Sequence, residues 1–528
     1  MIGKRKAQRT LFEVPVWADG LMGSDSFYAR MGAFWTRVSR DEDLEEMYDE
    51  SQGKPSIPPS LLCGVLVLQY YCNVSDREAA DKVRFDLRWK LALGVPLDHA
   101  GFHYSTLSRF RSRLMEHGKE RYIFDKLLQL ALAAGLLKRD GEQAIDSTAI
   151  HSAAAVQDTY TLLRNALRKL LRAMGESPQN RRRLAHKLEL SEYLSSKKPE
   201  LDWSDPEARK AHLQKIVADA GRLIDEAHTA PLAAQSDAHG ALALLEQIVA
   251  QDIDTDDEGQ YEIRQGVARD RIISTVDPEA RHGRKSASKR WDGYKGHVAV
   301  DLDSELVTEV AVTPANVYDG EAVVVLLDQQ AAHNALRPRA VIGDHAVIDP
   351  ERRGLLAERD IEAVGKVAIQ RPGGRYAKAD FDVDLEHGTV TCPAGYTVSD
   401  SRRKKGNRDR EWQLFEFPRE LCDRCSHRAQ CTTAQGTGRT VRLHPQEALL
   451  QAAREEQETE AFRERYNQGR STVERTQSHL ARHGYRKGRY FGQVKILFQA
   501  LWSTAAVNLD KMTAWMASRD AAHGLAMA

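Results

Sequence analysis

The chain has 528 residues, too many for one ordinary domain, so its length predicts two to four units with ample residues for buried cores. It carries 76 basic and 76 acidic side chains, and a formal charge of zero argues against a uniformly basic nucleic-acid binder. No apolar stretch approaches 18 residues and the basic N-terminus has no apolar core of signal-peptide length, so we expect a soluble, cytoplasmic protein with no membrane partner.

Residues 56–118 have the pattern of a compact helical unit. An apolar helix runs through LLCGVLVLQYYC, and the next helix begins at a capping-box match between Ser75 and Glu78. Gly94 and Pro96 end that second helix. The spacing therefore predicts short helices joined by tight turns.

A third helix, LSRFRSRLMEHG, can be capped by Ser105 or Thr106 and buries an apolar seam. Its arginines face elsewhere: Arg109, Arg111 and Arg113. A helix, a loop and an arginine-bearing helix are what a helix-turn-helix DNA reader needs, although any small helical bundle has the same pattern. Of these two interpretations we predict the first, a helical N-terminal DNA-binding domain at residues 1–140.

Strands and helices follow, and two acids lie at notable places among them. The strand-like piece EQAIDSTAI puts Asp146 between apolar neighbours, which is unfavourable unless the acid has a role or an exposed edge. The chain then continues with two strands, GYKGHVAVD and LVTEVAVTPA, followed by a helix and an apolar strand that ends at Asp344. This order predicts an α/β fold with a mixed sheet. Asp344 falls where α/β sheets place functional groups, although Asp is also a routine loop residue after a strand. Residues 152–260 are helical and charge-rich, and we predict a helical insertion there.

Residues 371–445 change to short strands and turns and hold four of the six cysteines: Cys392, Cys422, Cys425 and Cys431. Four thiolates form the tetrahedral set that suits Zn²⁺, and His427 could substitute for one of them. The alternative is four unrelated reduced thiols. Because cysteine is usually buried in apolar runs rather than set among Asp, Arg and Ser, we predict a small β-rich insertion that binds a structural zinc ion.

Near the C-terminus a polar stripe recurs at intervals of four residues: Tyr466, Arg470, Glu474, Ser478 and Arg482. On an α-helix such a stripe winds by only about 40° per step, so the acid lies one turn from an arginine. This carboxylate could complete a metal site that acts on a polyanion such as a nucleic-acid backbone. The alternative is a capping box beginning at Ser471, in which Glu474 only reaches back to a backbone N–H.

Taken together, these segments resemble the DDE transposases of bacterial insertion sequences. The resemblance rests on AIDSTAIHSAA around Asp146, VIGDHAV around Asp344, and the spacing of Tyr466, Arg470 and Glu474. The segments DPEARHG, WDGYKGHVAVD and VTPANVYDGE lie between them. Residues 58–94 with STLSRFRSRL look like the helical N-terminal domain of one branch of the family, and CPAG…CDRCSHRAQC looks like the cysteine-bearing insertion of the same branch. The resemblance covers nearly the whole chain.

The resemblance implies an α/β fold of the RNase H-like type, a mixed sheet flanked by helices and interrupted by insertions. Its core would comprise residues 141–151, 261–370 and 446–515, followed by a tail at 516–528. It also implies a catalytic triad of carboxylates that holds two Mg²⁺ (or Mn²⁺) ions: Asp146, Asp344 and Glu474.

The same resemblance implies partners and a reaction. The expected partners are double-stranded DNA, as transposon ends and as target, and further copies of the chain in a synapsed homodimer or larger assembly at the nucleoid. The expected reaction is cleavage at the transposon ends and transfer of the freed 3′-hydroxyls into target DNA. Four residues are candidates to hold phosphates as cations: Lys295, His297, Arg470 and Arg482.

The chain departs from the family pattern at two places. Val347-Ile348 stand where many relatives have Tyr, and Arg482 takes the place of the usual Lys, one position late. These departures concern substrate contacts rather than metal binding. Two other classes stay open at this point: an RNase H-like nuclease that hydrolyses DNA without strand transfer, and a non-catalytic zinc-containing DNA-binding regulator, which would leave the three acids unexplained.

Overall fold

The computed structural model describes residues 2–4, 22–23, 25–49, 55–230, 237–405 and 411–526. Residues 5–21, which form most of the basic N-terminal segment, lie outside this part of the chain, as does the end of the predicted tail. Within the described ranges, no helix is long and apolar enough to cross a membrane. The domain boundaries given above stay predictions.

In the described residues before the first strand, the α-helices are α1 Phe27–Val38, α2 Pro59–Cys72, α3 Asp76–Phe85, α4 Leu87–Leu93, α5 Ser105–Glu116 and α6 Tyr122–Ala133. The predicted capping box of α3 is confirmed, because Ser75 Oγ accepts the Glu78 N–H and Glu78 Oε2 accepts the Ser75 N–H. The helix α4 ends at Gly94, whose φ of 62° is left-handed. The predicted cap of α5 is wrong: the residue that precedes α5 is Tyr104, which makes no side-chain capping bond.

The central sheet has six strands: β1 Glu142–His151, β4 Arg281–Arg284, β5 Arg290–Asp301, β6 Val307–Pro314, β7 Ala340–Ile342 and β8 Glu362–Val364. The strand order is β4-β5-β1-β7-β8, and β6 also pairs with β5. The strand β1 is antiparallel to β5 and parallel to β7, and β8 is parallel to β7. The mixed α/β sheet expected from the sequence is therefore present.

Helices cover both faces of this sheet. One face packs on α11 Glu321–Asn334 and α12 Pro350–Ala357, through Leu326 and Leu356. The other face shares a single hydrophobic core with α1 to α6 and with the last two helices, α16 Glu460–Arg482 and α17 Gln493–Ala526. The N-terminal helices are thus part of the body that carries the sheet, because their apolar faces are buried in the same core.

The segment between β1 and β4 forms a second core. Its elements are α7 Thr159–Gly175, α8 Pro178–Lys187, α9 Pro206–Thr229, α10 Asp237–Asp252, β2 Ile253–Thr255 and β3 Tyr261–Ile263. The strands β2 and β3 form an antiparallel hairpin, and the helices bury apolar residues such as Leu167 and Leu245 against one another. The described part of residues 152–260 is thus mainly helical, apart from the strand β2, and its role as an insertion stays a prediction.

The described part of the cysteine-bearing region is built of short strands and short α-helices: β9 Asp382–Asp384, β10 Thr389–Thr391, β11 Thr397–Val398, β12 Ser401–Lys405, β13 Glu411–Glu416, α13 Arg419–Asp423, α14 Arg428–Cys431 and β14 Thr440–Leu443. This region has its own core, in which Phe381, Phe415 and Phe417 are buried. The helix α15 Glu447–Glu456 then leads to α16.

Candidate active site

Asp146 lies in the middle of β1, the strand between β5 and β7. The residue is only 8% exposed. Its Oδ1 accepts the Ser147 N–H at 2.8 Å, and its Oδ2 lies 3.0 Å from Arg470 Nη2. Burial raises the pKa of Asp146, the Arg470 charge and the Ser147 N–H oppose that rise, and the Asp344 charge adds to it. A carboxylate destabilised by burial gains from a cation placed beside it.

Asp344 lies two residues beyond β7. Because Ile342 pairs with Ala144 in the parallel register, Asp344 and Asp146 both lie two residues past the same point of the sheet. The Asp344 Oδ1 accepts the backbone N–H groups two and three residues on, at 2.9 and 3.1 Å. Its charge contributes to the raised pKa of Asp146, so the two carboxylates interact electrostatically.

Glu474 approaches the same place from α16. Its Oε1 lies 3.1 Å from Arg470 Nη2, the nitrogen that also contacts Asp146. The helix begins after Thr459, whose hydroxyl caps it, so Ser471 lies in the helix interior and the capping-box alternative is wrong. The Glu474 side chain is 62% exposed and faces solvent beside the buried Asp146. One guanidinium therefore joins the strand acid to the helix acid.

The helix α16 lies unusually close to the sheet at Gly469. A Cβ at this position would be 2.7 Å from Ile342 Cγ2 on β7, a distance that side chains do not tolerate. Glycine one residue before Arg470 thus lets the helix backbone approach β7. This approach positions Arg470, one residue on, where it contacts Asp146.

The residue types of the three predicted acids, though not their arrangement, suit a divalent cation. Three carboxylates offer only oxygen ligands, the chemistry that Mg²⁺ and Mn²⁺ prefer. In the described ranges, however, no group of three or more His, Cys, Asp or Glu side chains is arranged closely enough to hold a metal ion. Arg470 supplies the local positive charge instead, and its buried Nη1 has no hydrogen-bond partner.

Three of the residues predicted to hold phosphates have other partners. Lys295 donates to the Val317 carbonyl and to Asp319 Oδ1, both at 2.7 Å. His297 is 1% exposed, and burial lowers its pKa to about 4, so it is a neutral core residue bonded to Thr313. The predicted phosphate contacts at Lys295 and His297 are therefore wrong.

Arg470, the third, is occupied by the acids, whereas Arg482 at the end of α16 is exposed and lines an open cleft that begins at Glu474. Arg482 thus stays a candidate phosphate contact.

The three arginines of α5 differ from one another. Arg109 is exposed and bonds only weakly to Ser105, at 3.3 Å. Arg111 is buried and makes two bonds to Asp76, at 2.9 and 2.5 Å, so the prediction that it contacts DNA is wrong. The Arg113 guanidinium lies over the Tyr48 ring, 4.4 Å from its centroid. Of the three, Arg109 is the one placed to reach a ligand.

The four cysteines predicted to bind zinc line one cavity, as free thiols. Burial raises the pKa of the Cys431 thiol, and the other three cysteines contribute to that rise. His427 lines the same cavity, but its Nδ1 pairs with the Tyr376 hydroxyl at 2.8 Å. The sulfurs are near one another without forming a set that could already hold a metal ion in the described structure. Zinc binding stays a prediction.

Asp277 belongs to the segment DPEARHG, for which the sequence predicts no role. It is fully buried and accepts hydrogen bonds from Ser152 Oγ at 2.6 Å, Tyr294 Oη at 2.5 Å and Gly492 N at 3.0 Å. It therefore joins the segment after β1 to β5 and to the segment between α16 and α17. The Asp-Pro pair in the sequence does not predict these three hydrogen bonds, because their partners are distant in sequence.

The central sheet with carboxylates at neighbouring strands and on a packed helix defines an α/β protein with a candidate acidic active site. Residues 391–513 match a family model described as a transposase DDE domain, and residues 18–113 match one described as a transposase domain (DUF772). Both matches are to transposase families, and they support the recognition of the chain as an insertion-sequence DDE transposase. In comparisons with curated proteins and with solved structures, nothing matches the chain.

The two matches divide the candidate residues unequally. The transposase DDE match includes Glu474, Arg482 and the four cysteines, and the N-terminal match includes the arginines of α5. Asp146 and Asp344 lie outside both matches.

Proposed function

We propose that this transposase binds the terminal inverted repeats of its insertion sequence, cleaves DNA there in a Mg²⁺-dependent reaction and transfers the ends into target DNA. The observation that carries the proposal is the single nitrogen, Arg470 Nη2, that contacts both Asp146 and Glu474. Asp344 lies near enough to raise the pKa of Asp146. An acid on β1, an acid just beyond β7 and an acid on α16 thus interact with one positive charge, which supports a site that exchanges a protein cation for a metal ion.

The strand order also supports an RNase H-like core. An antiparallel meander of β1, β5 and β6 is followed by β7 and β8, which are parallel to β1. In this arrangement Asp146 is on the central strand and Asp344 follows its neighbour. The helical segment then corresponds to an insertion between β1 and β4. The β-rich segment corresponds to an insertion before α16.

In this mechanism the three carboxylates, Asp146, Asp344 and Glu474, would hold the metal ions. When bound, two ions activate the attacking oxygen and stabilise the leaving oxygen of a phosphodiester. Arg470 offsets part of the negative charge of these acids and would be available to a phosphate oxygen if metal ions took over that role. Exposed Arg482 and Arg109 would hold phosphates further along the DNA.

The proposed chemistry balances without an external energy source. In cleavage, a water oxygen bonds to phosphorus while the bond from phosphorus to the 3′-oxygen breaks, which leaves a 3′-hydroxyl and a 5′-phosphate. In strand transfer, that 3′-hydroxyl oxygen bonds to a target phosphorus and one target phosphodiester bond breaks, so the number of such bonds is unchanged. The protein needs no nucleophile of its own.

The proposal is tested with a duplex that carries the inverted repeats flanking the gene, incubated with Mg²⁺ and a second, target duplex. We expect cleavage and joining by the wild type, and neither by Asp146→Asn or Glu474→Gln, with end binding retained. Glu464→Gln is the matched control, since Glu464 is an exposed acid on the same helix. Cleavage without joining would indicate a nuclease, and cleavage by both acid variants would refute the site.

We also propose that the four cysteines bind one structural Zn²⁺ and that the active assembly is a homodimer or larger when two ends are synapsed. Convergence of the four thiols on one cavity supports the zinc proposal. A structural role follows because four thiolate ligands leave no open position for water.

A further inference from the structure

A narrow cleft separates the arginine-bearing helix α5 from the start of α17. It has a volume of about 100 Å³ and is lined by Ser108, Arg111, Ser112, Met115, Tyr490, Lys495 and Phe498. No carboxylate is among these residues. Water occupies about 30 Å³ per molecule in the liquid, so the cleft has room for a group the size of a few waters rather than for a base pair.

Three polar groups of the cleft, on Ser108, Ser112 and Lys495, are unused hydrogen-bond donors. Ser108 and Ser112 lie one turn apart on the exposed side of α5, and in the described part of the chain neither hydroxyl has a hydrogen-bond partner. Lys495 is exposed, and within the same ranges no carboxylate lies at salt-bridge distance from it. The buried Arg111 behind them is already paired with Asp76, so Lys495 carries the uncompensated charge of the cleft. Two hydroxyls and an ammonium without a counter-ion suit a phosphate oxygen.

We propose that this α5–α17 cleft binds a backbone phosphate of duplex DNA, with Lys495 as the charged contact and Ser108 and Ser112 as hydroxyl donors. The assignment rests on the proposed action on DNA and adds a contact that neither the acids nor the α5 arginines provide. Arg109 lies next to Ser108 and is exposed, so a duplex that seats a phosphate in the cleft passes along the exposed face of α5.

The cleft is tied to the acidic site through the segment between α16 and α17. The backbone of this segment bonds to β1, from His151 N to Arg486 O and from Gly488 N to His151 O, both at 2.8 Å. Arg489 donates to the Val74 carbonyl at 2.8 Å and to Asn73 Oδ1 at 2.6 Å, between α2 and α3. DNA held in the cleft is therefore held on the frame that carries Asp146, which fixes the distance between the phosphate contact and the cleavage site.

The test is fluorescence anisotropy of the full-length protein with an end-bearing duplex over a series of KCl concentrations. We expect Lys495→Ala to weaken binding several-fold and to lower the log-log salt slope by roughly one, because one phosphate contact is lost. Lys495→Arg should retain the slope. Ser108→Ala with Ser112→Ala should weaken binding without changing the slope, because no charge is removed. Lys210→Ala, an exposed lysine on α9 in the other hydrophobic core, is the matched control and should match the wild type.

Duplexes with a single neutral methylphosphonate linkage then locate the contact. At one linkage the wild type should lose affinity while Lys495→Ala loses none, since the contact is already absent. Wild-type affinity and slope in both the Lys495→Ala and the double serine variants would overturn the cleft assignment while leaving the proposed function intact. A wild type that binds no duplex at all would instead contradict the proposed function itself. Lys495→Ala could instead lose further affinity at every neutral linkage, by as much as the wild type does. Lys495 would then not contact the backbone, and the assignment would fail.

Discussion

Arg470 Nη2 lies 3.0 Å from Asp146 Oδ2, and this ion pair connects the helix α16 to β1, the central strand of the sheet. Both side chains are largely buried, at 18% and 11% exposure. Because an acid left alone in this position would lose most of its solvation, the pair holds the site in a folded, metal-free state.

Removal of Arg470 should therefore destabilise the metal-free protein. We expect Arg470→Gln to lower the free energy of unfolding by about 2 to 3 kcal/mol, because a buried carboxylate is left without its partner. Addition of Mg²⁺ should restore more stability to this variant than to the wild type, because the ion replaces the lost charge. Urea unfolding with and without Mg²⁺ measures both effects.

Arg475→Gln is the control for this prediction. Arg475 is on the same helix, but its side chain is 58% exposed and pairs with the partly exposed Glu305. Its loss should change stability by no more than about 0.5 kcal/mol. Equal stability of the two variants would show that the Arg470 contact does not hold the site together.

The close approach of α16 to β7 gives a second prediction. A methyl group at Gly469 would clash with Ile342, so Gly469→Ala should move the helix outward, cost about 1 to 3 kcal/mol and reduce cleavage through displacement of Glu474. The double variant Gly469→Ala with Ile342→Ala should lose less stability than the two single variants lose in sum, because the smaller side chain at position 342 relieves the clash. Stability and cleavage rate are measured for both single variants and the double variant.

Gly221→Ala is the control for the glycine prediction. Gly221 lies within α9, and a Cβ there meets no atom within 4 Å. The substitution should stabilise the protein by about 0.5 to 1 kcal/mol, since alanine restricts the unfolded chain and favours helix. A Gly469→Ala variant as stable as Gly221→Ala would contradict the tight packing.

The elements of the sheet could be predicted from the sequence because their apolar runs and turn residues are local signals. The strands β1, β5 and β6 and the Ser75 capping box are examples. The adjacency of β1 and β7, which brings Asp146 beside Asp344, has no local signal, since it depends on strand order. The family resemblance supplied that expectation.

The wrong predictions have a common physical reason. Lys295 and His297 lie on β5, and because helices cover both faces of this sheet, a polar residue in the strand pattern does not mark a solvent face. Arg111 follows the polar pattern of α5, yet Asp76, 35 residues earlier, makes its burial favourable. The Ser471 motif resembles a helix start, but apolar residues on both sides of it continue the helix from Thr459.

His297 should make stability depend on pH. Burial lowers its pKa from the ordinary 6.5 to about 4, although Asp319 opposes that shift and Lys295 adds to it. The unfolded chain then binds a proton between these values that the folded chain does not. The stabilisation is therefore complete above about pH 6.5 and is lost as pH falls toward 4, by about 3 kcal/mol.

The check is urea unfolding of the wild type and His297→Gln between pH 4.5 and 7.5. The variant should be less stable near neutrality but should lose less stability on acidification, because the titrating ring is gone. His239→Gln, at an exposed position on α10, should follow the wild type. Parallel pH profiles of His297→Gln and the wild type would mean that His297 is not held neutral by burial.

The arginines of α5 should separate folding from binding. Arg111→Ala removes both bonds to Asp76 and should cost about 3 kcal/mol of stability, because Asp76 loses its partner. Arg109→Ala should leave stability within about 0.5 kcal/mol and lower the salt slope of end binding by roughly one. Thermal unfolding and anisotropy titrations distinguish the two. A stable Arg111→Ala variant with weakened end binding would restore Arg111 as a DNA contact.

The cysteine cavity gives the last prediction. If the four thiols bind zinc, purified protein should contain one Zn²⁺ per chain, and Cys425→Ser should reduce that content, because three thiolates bind the ion far more weakly than four. Zinc is measured by elemental analysis after dialysis against a mild chelator. Cys63→Ser is the control, since Cys63 is buried in α2 and far along the chain from the cavity.

Removal of zinc should also lower the stability of the β-rich segment, which would be seen as faster proteolysis between residues 376 and 444. The central sheet should stay folded, because its core is separate. Full-length protein that contains no zinc, or an equal zinc content in Cys425→Ser and the wild type, would contradict the assignment and leave the cavity as a cluster of reduced thiols packed on Phe417.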